Sequence, residues 1–425
     1  MTPAPPSRPP IVPATPSTRG RRVSLSPDPV VRALAALLVV NATGNGLFLT
    51  ISTLWFTHGL GYSAPQVGFA LTLAGLCGVL AAIPAGRASD RHGAKRVLAA
   101  LHLVQAAAMV GYAVADTYTA FLLLACGVTA GSRANAAVRS ALYAHSLPAA
   151  TRAPALGLLR AVNNVGIGAG AALGAAVVAL DRPGAFQAAI LADAATFVLA
   201  LIPLRKVPAT QATPARVHTG HPKAASALRD GPYLLVTGLN AIVNTLYVVL
   251  EVALPLWLVN HTRAPRTLVG ALLILNTLLV VVLQIRAAHR ATTLPAAIRS
   301  FRLGGILTAL ACVTAAAAPH RSPTAATVIL LTAVVLLTLG EVTSQAGSWT
   351  LGYALAPDHA QGDYQGVFQT GISLTQALGP ILITTLVLPH GAIGWIALGA
   401  VFCAAALALP PAARRAEQAE TARFG

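Results

Sequence analysis

Five ionisable side chains stand inside apolar runs of this chain: Arg133, Arg160, Asp193, Glu251 and Glu341. A charge in hydrocarbon costs at least about 2.5–3.5 kcal/mol on insertion scales, so each is expected to serve a function. Carboxylates in poorly hydrated cavities bind protons more readily than carboxylates in water, which suits Glu251 and Glu341 to proton carriage. Arg133 is their natural counter-charge. For Asp193 a coupling role and a structural bond to a neighbouring helix are both open.

Amides accompany these charges at helical spacing. Asn240, Asn244, Tyr247 and Glu251 recur at intervals of four, three and four, which puts them on one helical face. Asn41, Asn45 and Ser52 form a second such stripe, Glu341, Gln345 and Ser348 beside Trp349 a third, and Gln369, Ser373 and Gln376 a fourth. Arg160, Asn163 and Asn164 precede Gly166, Gly168, Gly170 and Gly174, small residues that let two helix backbones approach. Such stripes hold a polar solute in a cavity, or bond one helix to another. Spacing alone leaves both readings open.

The elements that position these residues are spanning helices. Of the 425 residues 56% are apolar and 10% charged, against about a quarter charged in soluble domains. Twelve apolar runs of roughly 20 residues follow one another, each long enough to cross a bilayer. The expected organisation is a disordered cytoplasmic tail (1–29), a six-helix bundle (30–204), a cytoplasmic linker (205–231), a second six-helix bundle (232–410) and a cytoplasmic tail (411–425). The formal charge of +17 comes from basic residues interleaved with apolar blocks, which are topology signals and not a nucleic-acid-binding face. On this layout 23 of the 29 Lys and Arg fall on one side, so both termini are expected in the cytoplasm. The four cysteines lie inside apolar runs with no pairing or metal-ligand spacing. No phosphate-binding glycine loop, metal cluster or nucleophile elbow occurs, so an enzyme, a metal centre and a cofactor are not expected.

Between the second and third runs lies Gly86-Arg87-Ala88-Ser89-Asp90-Arg91-His92-Gly93-Ala94-Lys95-Arg96, expected as a tight turn at the membrane surface. Its pattern G-x-x-x-D-R-x-G-x-K-R resembles the signature loop between helices 2 and 3 of the major facilitator superfamily of secondary transporters. An internal repeat agrees with this. Pro148–Gly170 aligns without a gap on Pro357–Gly379, pairing Gly157 with Gly366 and Gly170 with Gly379. The resemblance implies an all-α integral membrane fold of twelve helices in two pseudo-symmetric six-helix bundles, with the solute path between them. It also implies that Gly86, Asp90, Arg91, Gly93, Lys95 and Arg96 form a latch between the halves. Asp358 and Asp363, before helix 11, are the candidate partners of Arg91 or Arg96.

In this superfamily helices 1, 4, 7 and 10 line the central cavity. The resemblance therefore implies a solute site made by Asn41, Asn45, Asn240, Asn244, Tyr247, Arg160, Asn163, Asn164, Gln345 and Trp349, with Glu251, Glu341, Arg133 and Asp193 coupling transport to protons. The run from Arg133 to Ala137 partly resembles the arginine motif of helix 4 in proton-driven drug exporters. The expected function is export of a small organic solute, a drug or metabolite, by alternating access in exchange for protons. Proton-coupled uptake of a sugar or metabolite is the alternative, and a non-transporting membrane sensor or assembly partner is one of another class. The expected partners are the solute, protons and plasma-membrane lipid, for a chain acting as a monomer.

Overall fold

The computed structural model describes residues 28–180, 182–208 and 227–424. The tail before Asp28 and the linker stretch 209–226, expected to be disordered and cytoplasmic respectively, lie outside the described residues. Among those described there is no strand. The described residues form twelve long helices in order, the last two within one long apolar run. They are α1 Pro29–Leu54, α2 Ala64–His92, α3 Ala94–Val114, α4 Tyr118–Ser146, α5 Ala149–Leu180 and α6 Pro183–Leu199, the last continued by Leu201–Arg205. After the linker come α7 Gly231–His261, α8 Leu268–Arg290, α9 Leu294–Ala316, α10 Pro323–Ala354, α11 Gln361–Leu382 and α12 Gly391–Phe424. Helices satisfy their own backbone polar groups, which is what hydrocarbon demands.

Local chemistry sets the boundaries. Asp28 accepts the Val30 amide at 2.8 Å to cap α1, and Asp230 accepts the Tyr233 amide at 3.1 Å to cap α7. Proline stands in the first turn of both helices, where its missing N–H leaves no bond unmade. Gly391, at φ 59°, turns the chain from α11 into α12.

Two boundaries differ from the sequence expectation. The turn expected over Gly86–Arg96 is a single residue: α2 stays helical to His92, Gly93 (φ 85°) reverses the chain, and α3 starts at Ala94. The charged residues after Gly86 therefore extend α2 beyond the apolar run. The segment after Pro411, expected as a tail, is helical to Phe424, and Ala412, Ala413 and Ala416 are buried on the core of the second half. Alanine, glutamate and arginine are strong helix formers, and packing holds the helix past its two prolines.

Each half is closely packed. A methyl group on Gly170 of α5 would lie 2.0 Å from the Thr43 carbonyl oxygen of α1, so these backbones touch. Between the halves the repeat reappears as symmetry of contact. Gly157 of α5 meets Ala288 of α8, and its repeat equivalent Gly366 of α11 meets the Ala82 carbonyl of α2. Three helices carry a single π turn, at Trp55–Gly59, Val249–Ala253 and Ile383–Val387. Such turns are frequent at functional sites, and the middle one holds Glu251.

Candidate functional site

Two places join the halves through polar chemistry. The first is the junction of α5, α7, α8 and α10. Arg160 of α5 reaches into the second half, where its Nη2 donates to the Tyr247 hydroxyl at 2.5 Å and to Glu341 Oε1 at 2.6 Å. Its guanidinium carbon also lies 5.5 Å from the centre of the Tyr247 ring. The other Glu341 oxygen accepts from Asn276 Nδ2 of α8 at 2.9 Å, and the same amide donates to the Thr338 hydroxyl at 3.0 Å. Glu341 is 2% exposed, with a partner on each oxygen. Glu251, one turn beyond Tyr247, is exposed and stands outside this bonded cluster among the described residues.

The expected counter-charge is thus replaced. Arg133 makes no ion pair among the described residues; it is half-buried, its stem against Gly78 of α2. The reason is geometric: α5 meets the second half at α8 and α10, which carry Asn276 and Glu341, whereas α4 meets it at α11. Asp193 also stands apart from this junction. It is 1% exposed, accepts from Thr196 Oγ1 at 3.3 Å, and lies against Gly44 of α1.

The amide stripes divide. Gln345 Nε2 donates to Asn244 Oδ1 at 2.9 Å, and Ser348 Oγ donates to Asn240 Oδ1 at 2.7 Å. Asn244 in turn donates to the Asn240 carbonyl. These residues zip α7 to α10. On α1, Asn45 donates to Asn41 Oδ1 at 3.3 Å, leaving the Asn41 amide nitrogen without a partner. Asn163 and Asn164, one turn along α5 from Arg160, are half-buried, and Trp349 packs against the core of the first half.

Several further buried polar residues have no counterpart among the site residues expected from sequence. Asn276 is a lone amide in an otherwise apolar stretch of α8, and that isolation was its signal. Gln284, a little over two turns further, is fully buried with both amide atoms unpartnered. His102 is fully buried, with Nδ1 in hydrogen-bond range of Leu98 O and Asn135 Nδ2. Asn135 also donates to Gln105 at 2.9 Å, which makes a small polar cluster between α3 and α4.

The second joint lies at the expected latch. Both Asp90 carboxylate oxygens cap α11, accepting the Gly362 amide at 2.7 Å and the Asp363 amide at 2.8 Å. A carboxylate there meets the positive end of the helix dipole. The basic partner of Asp363 is Arg87, at 2.7 Å, and not Arg91 or Arg96, which are exposed. Arg91 is four residues further out on the same helix, about 6 Å beyond Arg87. The second Asp363 oxygen accepts the Ala227 amide at 2.8 Å, tying in the chain that enters α7. The Lys95 ammonium donates to the carbonyls of Arg205 and Val207, at and just beyond the end of α6. Arg152 of α5 lies 5.0 Å from the Tyr353 ring centre of α10, and Gln369 of α11 donates to Ser140 of α4. These bonds between halves gather on the latch face and at the central junction.

The sequence pattern of the Major Facilitator Superfamily matches residues 34–380. The uncharacterized MFS-type transporter YhjO of Bacillus subtilis (strain 168) is 26% identical over 299 residues, 70% of this chain and 72% of that protein. Among solved structures, a bacterial homologue of the iron transporter ferroportin, outward-facing with soaked iron, aligns with TM-score 0.72 at 14% identity, over 91% of this chain and 99% of that one. The MFS proton:xylose symporter XylE aligns with TM-score 0.64 at 14% identity, over 89% and 94%. At such identity the likeness is one of fold.

Proposed function

This chain belongs to the Major Facilitator Superfamily and is a multi-pass secondary transporter of small solutes, not an enzyme; from that premise we propose that it exports a small organic molecule in exchange for protons. The observation that carries this reading is the buried Arg160–Glu341 pair, the ionic bond between the halves at the centre of the helices.

The proposed cycle uses that bond as its switch. A proton arriving from the face opposite the latch is received by Glu251 and passed to Glu341. Neutral Glu341 loses its hold on Arg160, and the halves lose their central tie. They then rock so that the latch face opens, with the latch bonds broken in the same motion. Solute enters there, in contact with Asn45, Asn163 and Asn164, whose amides are less committed than those of α7 and α10. The freed guanidinium and the incoming solute favour release of the proton to that side, and re-forming the Arg160–Glu341 bond closes the latch face. A ligand shifts such an equilibrium only by its differential affinity for the two states, so proton and solute must compete for one arrangement. With most site groups neutral amides, a neutral or amphipathic solute is favoured over a polyanion. On this reading the latch face is cytoplasmic, in a bacterial plasma membrane, with both termini on that side.

Purified protein in vesicles carrying a luminal pH dye tests this. A panel of solutes chosen by cellular accumulation is added outside. Luminal alkalinisation as a solute enters, absent in Glu341→Gln, is the expected result. Luminal acidification with uptake establishes symport in its place, and equal flux in wild type and Glu341→Gln overturns the coupling role.

A further inference from the structure

The end of the second half opposite the latch holds a cavity of about 810 Å³ lined from three separate connections. His261 and Arg263 come from the end of α7, His320 and Arg321 from the turn between α9 and α10, and Gly391 and Ala392 from the start of α12. Trp257 forms part of the wall, its ring stacked on His261 at 4.4 Å between centres, and its indole N–H is already given to the Ala315 carbonyl. No carboxylate lines the cavity. The three connections on this face, residues 259–267, 317–322 and 388–391, contain three arginines, three histidines and no Asp or Glu.

That arrangement is unusual for this chain. On the membrane layout read from the sequence, only four of its 29 Lys and Arg fall on the face opposite the latch, and two of the four converge on this one cavity. Residual topology charge has no reason to concentrate so. His320 is the single non-glycine residue with positive φ among those described, at 60°, a backbone conformation that costs energy and sets His320 and Arg321 side by side on the rim. Arginine forks match the paired oxygens of phosphate and carboxylate groups, and Asn260 adds a further polar group to the lining.

We infer that this cavity is a binding site for an oxyanion, a phosphate or carboxylate group held between Arg263 and Arg321 with its organic portion against the Trp257–His261 wall. The site shares no residue with the Arg160–Glu341 junction. The same chemistry is offered by a free organic phosphate and by the headgroup of an anionic phospholipid.

Full-length protein in phosphatidylcholine nanodiscs is titrated with inorganic phosphate at constant ionic strength. In a second arm, its melting temperature is compared between phosphatidylcholine nanodiscs and discs containing phosphatidylglycerol. Wild type, the double variant Arg263→Gln/Arg321→Gln, the charge-retaining Arg263→Lys/Arg321→Lys, and Arg182→Gln, which removes an arginine outside the cavity, are run together. Saturable phosphate binding weakened roughly tenfold or more per arginine removed, and retained in Arg182→Gln, supports a free-anion site. Stabilisation by phosphatidylglycerol that the double glutamine variant loses and Arg182→Gln keeps supports a lipid headgroup. If neither ligand distinguishes wild type from the double variant, or if Arg182→Gln loses as much, the inference is overturned. Should the double variant fail to fold, the two single variants are read by the same criteria.

Discussion

Gly86 of α2 and Gly362 at the start of α11 meet backbone to backbone: a methyl group on Gly86 would stand 2.1 Å from the Gly362 carbonyl oxygen, and one on Gly362 would stand 2.2 Å from the Gly86 carbonyl oxygen. This mutual approach lets Asp90 reach the first amides of α11. Since both obstacles are backbone, Gly86→Ala cannot be absorbed by a rotamer change. The two helices must separate, at a cost of about 1–3 kcal/mol typical of overpacking. We expect Gly86→Ala to shift the transporter toward the state open on the latch face. Spin labels at exposed Arg96 and Asp358 are expected to show a longer mean distance than in the unmodified background.

Asp363 outweighs its ionic partner. Arg87 is 41% exposed at its side chain, and an exposed ion pair contributes about 0–1 kcal/mol. Asp363 additionally accepts the buried Ala227 amide and places a carboxylate in the first turn of α11. Removing it leaves that donor unsatisfied, a loss of about 1–3 kcal/mol. Asp363→Ala is therefore expected to lower the melting temperature clearly more than Arg87→Ala, and reversing both charges together is expected to restore only the smaller part. Equal losses in the two alanine variants would show that the Ala227 bond contributes nothing.

Much of this was legible in the sequence, for physical reasons that also mark where reading stopped. Spans follow from hydropathy, and the latch follows from glycines and an aspartate that charge bias alone does not require. The aligned glycines Gly157 and Gly366 proved to occupy equivalent contacts between the halves, on α8 and α2. Pairings between helices distant in sequence were not legible. Periodicity places Glu341 on a face of α10, but which arginine approaches that face depends on how α4 and α5 cross, and it is Arg160 that does. The stripes of α7 and α10 could not reveal that they face each other. Arg87 replaced Arg91 because α2 stays helical past the apolar run, which fixes how far along its axis each side chain reaches α11.

The Arg160–Glu341 pair sets up a stability cycle that needs no substrate. Breaking a buried pair on one side strands the other charge, at about 3–5 kcal/mol, whereas removing both charges avoids that penalty. Arg160→Ala and Glu341→Ala are each expected to melt well below wild type, with the double variant above at least one of them. Glu341→Ala also takes away one of the two acceptors of the buried Asn276 amide and is expected to be the worse single change. Additive losses in the double variant would show that the two side chains are not energetically coupled.

The amides separate structure from solute binding. Asn240 and Asn244 each hold a buried partner on α10, Ser348 and Gln345, so alanine at either position leaves a polar group unpaired at about 1–3 kcal/mol. Asn163 and Asn164 are half-buried beside Arg160, and among the described residues no protein group takes their side chains. Asn163→Ala/Asn164→Ala is expected to change the melting temperature little, within the ±0.5 kcal/mol usual for positions without such features. If these amides meet solute, the same double variant raises the apparent KM for transport several-fold, while Asn240→Ala lowers stability with a smaller effect on KM. Thermal melts and concentration-dependent flux on the same preparations give both readings. An unchanged KM in the α5 double variant would move the solute site off that helix.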